Sequence, residues 1–162
     1  MTQSLMLHGL PPVVDPQTRV MVLGSFPGGA SLAAGQYYAH PRNQFWRILG
    51  EVLEIDLVAL AYGRRLEHLL AARIGLWDVY GACERAGSLD AAIRNAQPND
   101  FAGLLACTPS LERVCHNGQA SARFARRFQS LDLEVRILPS TSPAHAARSY
   151  AQKLTLWREA LN

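Results

Sequence analysis

Lysine is nearly absent from this 162-residue chain, which carries fifteen arginines and a single lysine, Lys153. A mechanism built on a Schiff-base amine therefore has only Lys153 and the N-terminal amine to draw on. Cysteine is scarce as well. Cys83, Cys107 and Cys115 stand far apart with no CxxC pair, so they cannot make a four-cysteine zinc or iron–sulfur site and are expected as reduced, buried thiols. No run of about 18 apolar residues occurs, which excludes a membrane-spanning helix. The opening MTQSLMLHGLPPVV has no basic stretch followed by an apolar one, so no signal peptide is read and the cytoplasm is the expected compartment. No repeat or low-complexity linker divides the chain, and no metal or organic cofactor is expected.

What is present is the composition of a globular domain: 49% hydrophobic and 18% charged, with a net charge of +3. The length suits one domain over residues 1–162, expected as a monomer. Arginine's planar fork suits phosphate, so the excess is compatible with a nucleic-acid partner. A GC-rich genome explains it equally well.

Val20 to Leu23 is an apolar run ending at Gly24 and reads as a buried strand. A Gly- and Pro-rich loop follows from Ser25 to Pro41, and Asn43 is a candidate N-cap for a helix carrying Phe45, Trp46, Leu49, Val52 and Leu53. A second helical pattern runs through Leu57, Leu66 and Leu70. Ile74–Val79, Leu111–His116 and Glu134–Leu138 are three further strands. Ser88 and Asn99 are candidate caps of short helices between them, and an Arg-rich helix is expected from Gln119 to Phe128. The chain ends in a helix over Ala146–Leu161. Alternation of this kind predicts an α/β fold, a three-layer α/β/α sandwich around a central, mainly parallel four-stranded sheet. Ligands in such sheets sit beyond the carboxyl ends of the strands, here at Ser25, Asp78, Asn117 and Pro139.

Three segments at those ends carry chemistry. Gly24-Ser25-Phe26-Pro27-Gly28-Gly29 lets backbone N–H groups approach an anion or a base edge, though as a motif it is also a plain structural turn. It lacks the lysine of a Walker loop and the spacing of a dinucleotide fingerprint. Gln36 to Trp46 packs aromatic, imidazole, guanidinium and amide groups together, which suits stacking on a nucleobase and bonding to its edge. Phe45 and Trp46 read as core; Tyr38 and Asn43 read as functional. Leu138-Pro139-Ser140-Thr141-Ser142-Pro143-Ala144-His145 is a proline-stiffened hydroxyl loop able to grip DNA phosphates. His145 is open to a second reading as a mere helix-start residue.

In this order the segments resemble the uracil-DNA glycosylase superfamily, with GSFPG as its first motif and LPSTSPAH as its second. GSFPGGASLAAGQYYAHPRNQFW, LWDVYGACERAGSLDAAIRNAQPNDF, NGQAS and PSTSPAHA resemble its hypoxanthine-DNA glycosylase branch. The resemblance implies that Phe26 stands where mismatch-specific uracil glycosylases have a water-positioning Asn, and that Asn43 takes over that role. It also implies that Tyr38 stacks on the flipped base and that Asp78 lies where related enzymes place an Asn to read the base edge. His145 departs from the commoner Asn at its position.

The expected function is monofunctional hydrolysis of deoxyinosine in DNA, releasing hypoxanthine and leaving an abasic site. Asn43 and His145 are the catalytic candidates. Gly24, Ser25, Phe26, Tyr38, Asp78 and Asn117 are the base-binding candidates, and Ser140, Thr141, Ser142, Arg42 and Arg148 the backbone contacts. Arg123, Arg126 and Arg127 are expected on a solvated face. Hypoxanthine presents a donor at N1–H beside an acceptor at O6, and adenine the reverse. A carboxylate at Asp78 accepts from N1–H, while backbone N–H groups around Ser25 and Phe26 donate to O6. Uracil shows the same order, so pocket size would have to exclude it. A glycosylase for uracil or another deaminated base, a non-catalytic damage-binding protein and a flavodoxin-type nucleotide module are the rival readings.

Overall fold

The computed structural model describes residues 5–162. Two strands are buried at every position, β2 (Val20–Gly24, VMVLG) and β3 (Ile74–Asp78, IGLWD), and all their residues but the final Asp78 are apolar or small. A strand buried on both faces belongs inside a parallel sheet with helices on either side. The four strands pair in the order β3-β2-β6-β7, with β6 at Arg113–Asn117 and β7 at Glu134–Leu138, all parallel. From β2 the chain passes first to β3 on one side and later to β6 on the other. The sheet therefore has a switch point beside β2, where a crevice forms at the carboxyl ends.

The helices α2 (Phe45–Leu53), α3 (Tyr62–Ala71) and α7 (Tyr150–Leu161) flank this sheet. Phe45, Ile48 and Leu49 of α2 are fully buried, and so is Trp157 of α7. The sequence expectation of a four-stranded parallel sheet flanked by helices holds, and so does the core reading of Phe45 and Trp46.

Several expectations change in detail. The stretch read as one loop holds the six-residue helix α1 (Gly29–Ala34). The expected Arg-rich helix is two short pieces, α5 (Gln119–Ala122) and α6 (Ala125–Gln129), and Arg123, Arg126 and Arg127 are exposed as expected. The cap of α4 (Phe101–Cys107) is Asp100, whose carboxylate accepts from the Gly103 N–H, and not Asn99. The terminal helix starts at Tyr150, four residues later than expected, because Ser149 and Gln152 close a capping box on each other's backbone N–H. Of the three free cysteines, Cys107 is exposed and not buried.

A second, antiparallel sheet, β1-β4-β5, escaped the sequence reading. Its strands are β1 (Leu7–His8), β4 (Tyr80–Glu84) and β5 (Arg94–Pro98). β4 follows β3 after one residue, and the Val79 and Tyr80 N–H groups donate to the Gly24 and Ser25 carbonyls. The chain thus leaves the first sheet still bonded to the loop after β2. The β4–β5 connection is thereby brought over the carboxyl end of the central strand.

Candidate active site

The cleft at the switch point has a volume of about 620 Å³ and is lined by loops from all four parallel strands. This is within the usual range for small-molecule sites. Gly24, Ser25, Phe26, Tyr38, Asn43 and Asp78 all line it, and so do Asn117, the Ser140–Ser142 hydroxyl residues and His145. Arg42 and Arg148 are exposed and lie outside its lining.

Asp78 ends β3 with 4% of its surface exposed, and its Oδ2 is buried with no hydrogen-bond partner. Burial chiefly, with the charge of Asp90 adding to it and Arg85 opposing it, pushes the carboxyl up to about 7. The Tyr38 hydroxyl is likewise buried and unpartnered. Burial, reinforced by the Asp78 charge, raises its phenol far above the ordinary value, so it stays neutral and can donate. Both groups converge on Gly24. A Cβ there would sit 2.5 Å from Asp78 Oδ1 and 3.3 Å from the Tyr38 hydroxyl, so only glycine leaves room for them. Unsatisfied buried polar atoms are rare because each costs about 1–3 kcal/mol. Three on residues of one cleft, Asp78 Oδ2, the Tyr38 hydroxyl and His145 Nε2, mark a place for a polar ligand.

Tyr38 adopts a left-handed backbone with φ of 56°, a conformation that costs a non-glycine residue energy and clusters at functional sites. Its ring stacks on Phe45, with centroids 4.1 Å apart and planes 27° from parallel. The Ser31 hydroxyl accepts from the Ala39 N–H and fixes the turn. Asn43 stands two residues before α2. Its Oδ1 accepts from the Phe45 N–H at 3.0 Å and its own N–H donates to the His40 carbonyl. The cap position is Gln44 and not Asn43 as expected, but this bond from one residue further out still orients the Asn43 side chain, and its amide nitrogen and second oxygen lone pair are left to other partners.

One expected contact is corrected. Thr141 is fully buried and cannot touch a DNA phosphate. Its Oγ1 accepts from Asn117 Nδ2 and its N–H donates to Asn117 Oδ1, both at 3.0 Å. Asn117 thus ties the end of β6 to the hydroxyl loop, and the second N–H and second oxygen lone pair of its amide are left at the cleft it lines. Gly118 allows this approach: it has φ of 95°, and a Cβ there would lie 3.2 Å from that of Ser140. Ser140 and Ser142 are half-buried, and their oxygens accept from the Ser142 and Ala144 N–H groups, so each hydroxyl proton is free to be donated outward. Replacing Thr141 with Val removes the acceptor of Asn117 Nδ2 and unties the loop from the end of β6. This is expected to lower stability by about 1–3 kcal/mol, read as a fall in Tm, and to weaken DNA binding by loosening the loop.

Residues missed in the sequence come from the β4–β5 connection. The Ser25 hydroxyl donates to Asp90 at 2.5 Å, and the Gly29 N–H donates to Ser88. Arg85 donates to the Pro27 and Gly87 carbonyls and lies 5.3 Å from the Phe26 ring centre. Phe26 is 6% exposed, packed between this guanidinium and the cleft.

The model of the uracil DNA glycosylase superfamily matches residues 11–162. The chain belongs to the uracil DNA glycosylase superfamily. A Methanosarcina barkeri protein named hypoxanthine DNA glycosylase is 40% identical over 153 residues, covering 94% of this chain and 96% of that protein. A namesake from Methanosarcina acetivorans is 38% identical over 138 residues, covering 85% and 87%. The solution NMR structure of a candidate uracil DNA glycosylase from Methanosarcina acetivorans superposes with a TM-score of 0.88 at 35% identity, covering 97% of each chain. Membership accounts for the placement of the cleft, since both loops through which the superfamily is recognised in the sequence line it. The enzyme is a DNA glycosylase, and among the described residues no helix is long and apolar enough to cross a membrane.

Proposed function

We infer that this enzyme hydrolyses the N-glycosidic bond of deoxyinosine in DNA, releasing hypoxanthine and leaving an abasic site. The observation that carries this reading is the buried, unpartnered Asp78 Oδ2 at the cleft floor. Hypoxanthine brings N1–H to that acceptor and O6 to the backbone donors of Ser25 and Phe26. Adenine would bring a lone pair to the carboxylate instead. The names of the two Methanosarcina relatives support the same substrate.

Extruding a base costs a few kcal/mol, less when it is mispaired. Stacking on Tyr38 offsets this by about 1–3 kcal/mol. Bond cleavage builds positive charge on the sugar and negative charge on the leaving purine. Donors at O6 stabilise the second, and a water held by Asn43 meets the first. An amide cannot take up a proton near neutral pH, so Asn43 orients the water without acting as a strong base. Ser140 and Ser142 donate to the DNA backbone, and Arg42 and Arg148 supply charge nearby.

Base release from duplexes holding deoxyinosine, deoxyuridine or deoxyxanthosine tests the reading. Hypoxanthine is expected to be freed fastest. Uracil leading would move the assignment to a different deaminated base, and tight binding without release would make the protein a damage sensor. Borohydride is expected to trap no covalent adduct, because Lys153 is 2% exposed and its amine is held by two oxygen acceptors. A trapped adduct would show a lyase step.

A further inference from the structure

The one lysine lies beneath the loop that the proposed function places against the DNA backbone. Lys153 Nζ donates to the His145 carbonyl at 2.8 Å and to Gln44 Oε1 at 3.0 Å. One helical turn later, Trp157 Nε1 donates to the Pro139 carbonyl at 3.0 Å. Residues four apart share a face of α7, so this face grips both ends of the Pro139–His145 loop. The same strut reaches Asn43, because the Gln44 N–H donates to the Thr141 carbonyl.

Both partners of the ammonium are neutral. Among the described residues no carboxylate lies within ion-pair distance of Lys153. Buried charges are ordinarily paired, since an unpaired one gives up hydration for little return. Neutral carbonyl acceptors could be met by a neutral donor, so the hydrogen bonds alone give no reason for a charge here. The Ser140 and Ser142 hydroxyls of the same loop line the cleft and have protons free for an outside acceptor.

We propose that Lys153 is a positioning residue whose buried charge primes the Pro139–His145 loop for one DNA phosphate, which supplies the missing counter-charge across the loop. The proposal rests on the reading that Ser140 and Ser142 meet the DNA backbone. It leaves the exposed hydroxyls to make contact while the charge itself stays out of water, so its field is little screened.

The test is binding of the intact enzyme to a duplex carrying a non-hydrolysable 2′-fluoro-deoxyinosine, measured across a salt series for wild type, Lys153→Met and Lys153→Gln. The neutral variants are expected to bind about tenfold more weakly at low salt, with a salt slope shallower by about 0.9. The single-turnover rate at saturation is expected to change less than the affinity does. A loss equal at every salt concentration would reduce Lys153 to a structural strut and overturn the proposal. Phosphates neutralised one at a time as methylphosphonates test the wild-type protein, so the result does not depend on the variants folding. One position flanking the lesion is expected to dominate, and its absence would also overturn the proposal. Ser140→Ala with Ser142→Ala separates the premise from the inference. If that pair leaves binding unchanged, the loop does not meet DNA. If the pair weakens binding while Lys153→Met keeps the full slope, only the role of Lys153 fails.

Discussion

Asn43→Ala is expected to lose about a hundred- to a thousand-fold in single-turnover excision of hypoxanthine while binding the same duplex nearly as well as wild type. The loss follows from removing the only group proposed to orient the attacking water. Binding survives because the base contacts at Asp78 and Tyr38 and the hydroxyl loop are left in place. The same side chain also holds the start of α2 through the Phe45 N–H, so the Ala variant carries a stability cost of about 0.5–1.5 kcal/mol as well. Asn43→Ser separates the two effects. A serine hydroxyl can accept from the N–H two residues on, as the Asn43 oxygen does, but is too short to hold the same water. It should melt close to wild type and still be inactive. Near-normal turnover by either variant would remove Asn43 from the chemistry. A Ser variant restored in activity together with stability would show that the helix start, and not the water, was what mattered.

How much of this site the sequence disclosed depends on how far apart the interacting residues lie in the chain. Gly24, Asp78 and Pro139 were placed at strand ends by apolar runs that stop there, and the parallel sheet follows from those same runs. The second sheet was hidden because β5 (RNAQP) is mostly exposed and has no alternating apolar face, and because β1 is two residues long. With it went Arg85, Ser88 and Asp90. Ser25 and Asp90 are 65 residues apart and Lys153 and Gln44 are 109 apart, so no local spacing links them. The hydroxyl loop was legible as a loop, but which hydroxyl turns inward was not. That choice is made by Asn117, which offers both its donor and its acceptor to Thr141. The lone lysine was expected to be a poor candidate for covalent catalysis from its place in the terminal helix. Its position beneath the loop required coordinates.

Asp78→Asn is expected to alter stability, pH dependence and base choice together, each with a fixed sign. The carboxyl is held near pH 7, above the ordinary value of 3.8, so the folded free enzyme favours its neutral form. Stability from this group is fully present below the ordinary value and is lost as pH rises through the raised one. A shift of this size sets a ceiling of about 4 kcal/mol on that loss. The Asn variant has nothing to ionise, so it should be the more stable protein at pH 8 and show no such advantage at pH 4, as seen by thermal melts at both. The ionised form is the stronger acceptor for N1–H and has no proton to offer the adenine lone pair, so kcat/KM for inosine DNA should fall to a lower plateau below a midpoint near 7. In Asp78→Asn that limb should vanish, because an amide presents its oxygen at any pH. The amide can also rotate and donate, which lifts the penalty on the adenine N1 lone pair. Adenine release should therefore rise relative to hypoxanthine. If the variant keeps the acidic limb, another group titrates in catalysis. If it melts below wild type at pH 8, the carboxylate has a partner that the orphaned oxygen does not reveal. If adenine remains fully excluded, discrimination lies in the shape of the pocket, and the loop from Ser25 to Gly28 becomes the place to look for it.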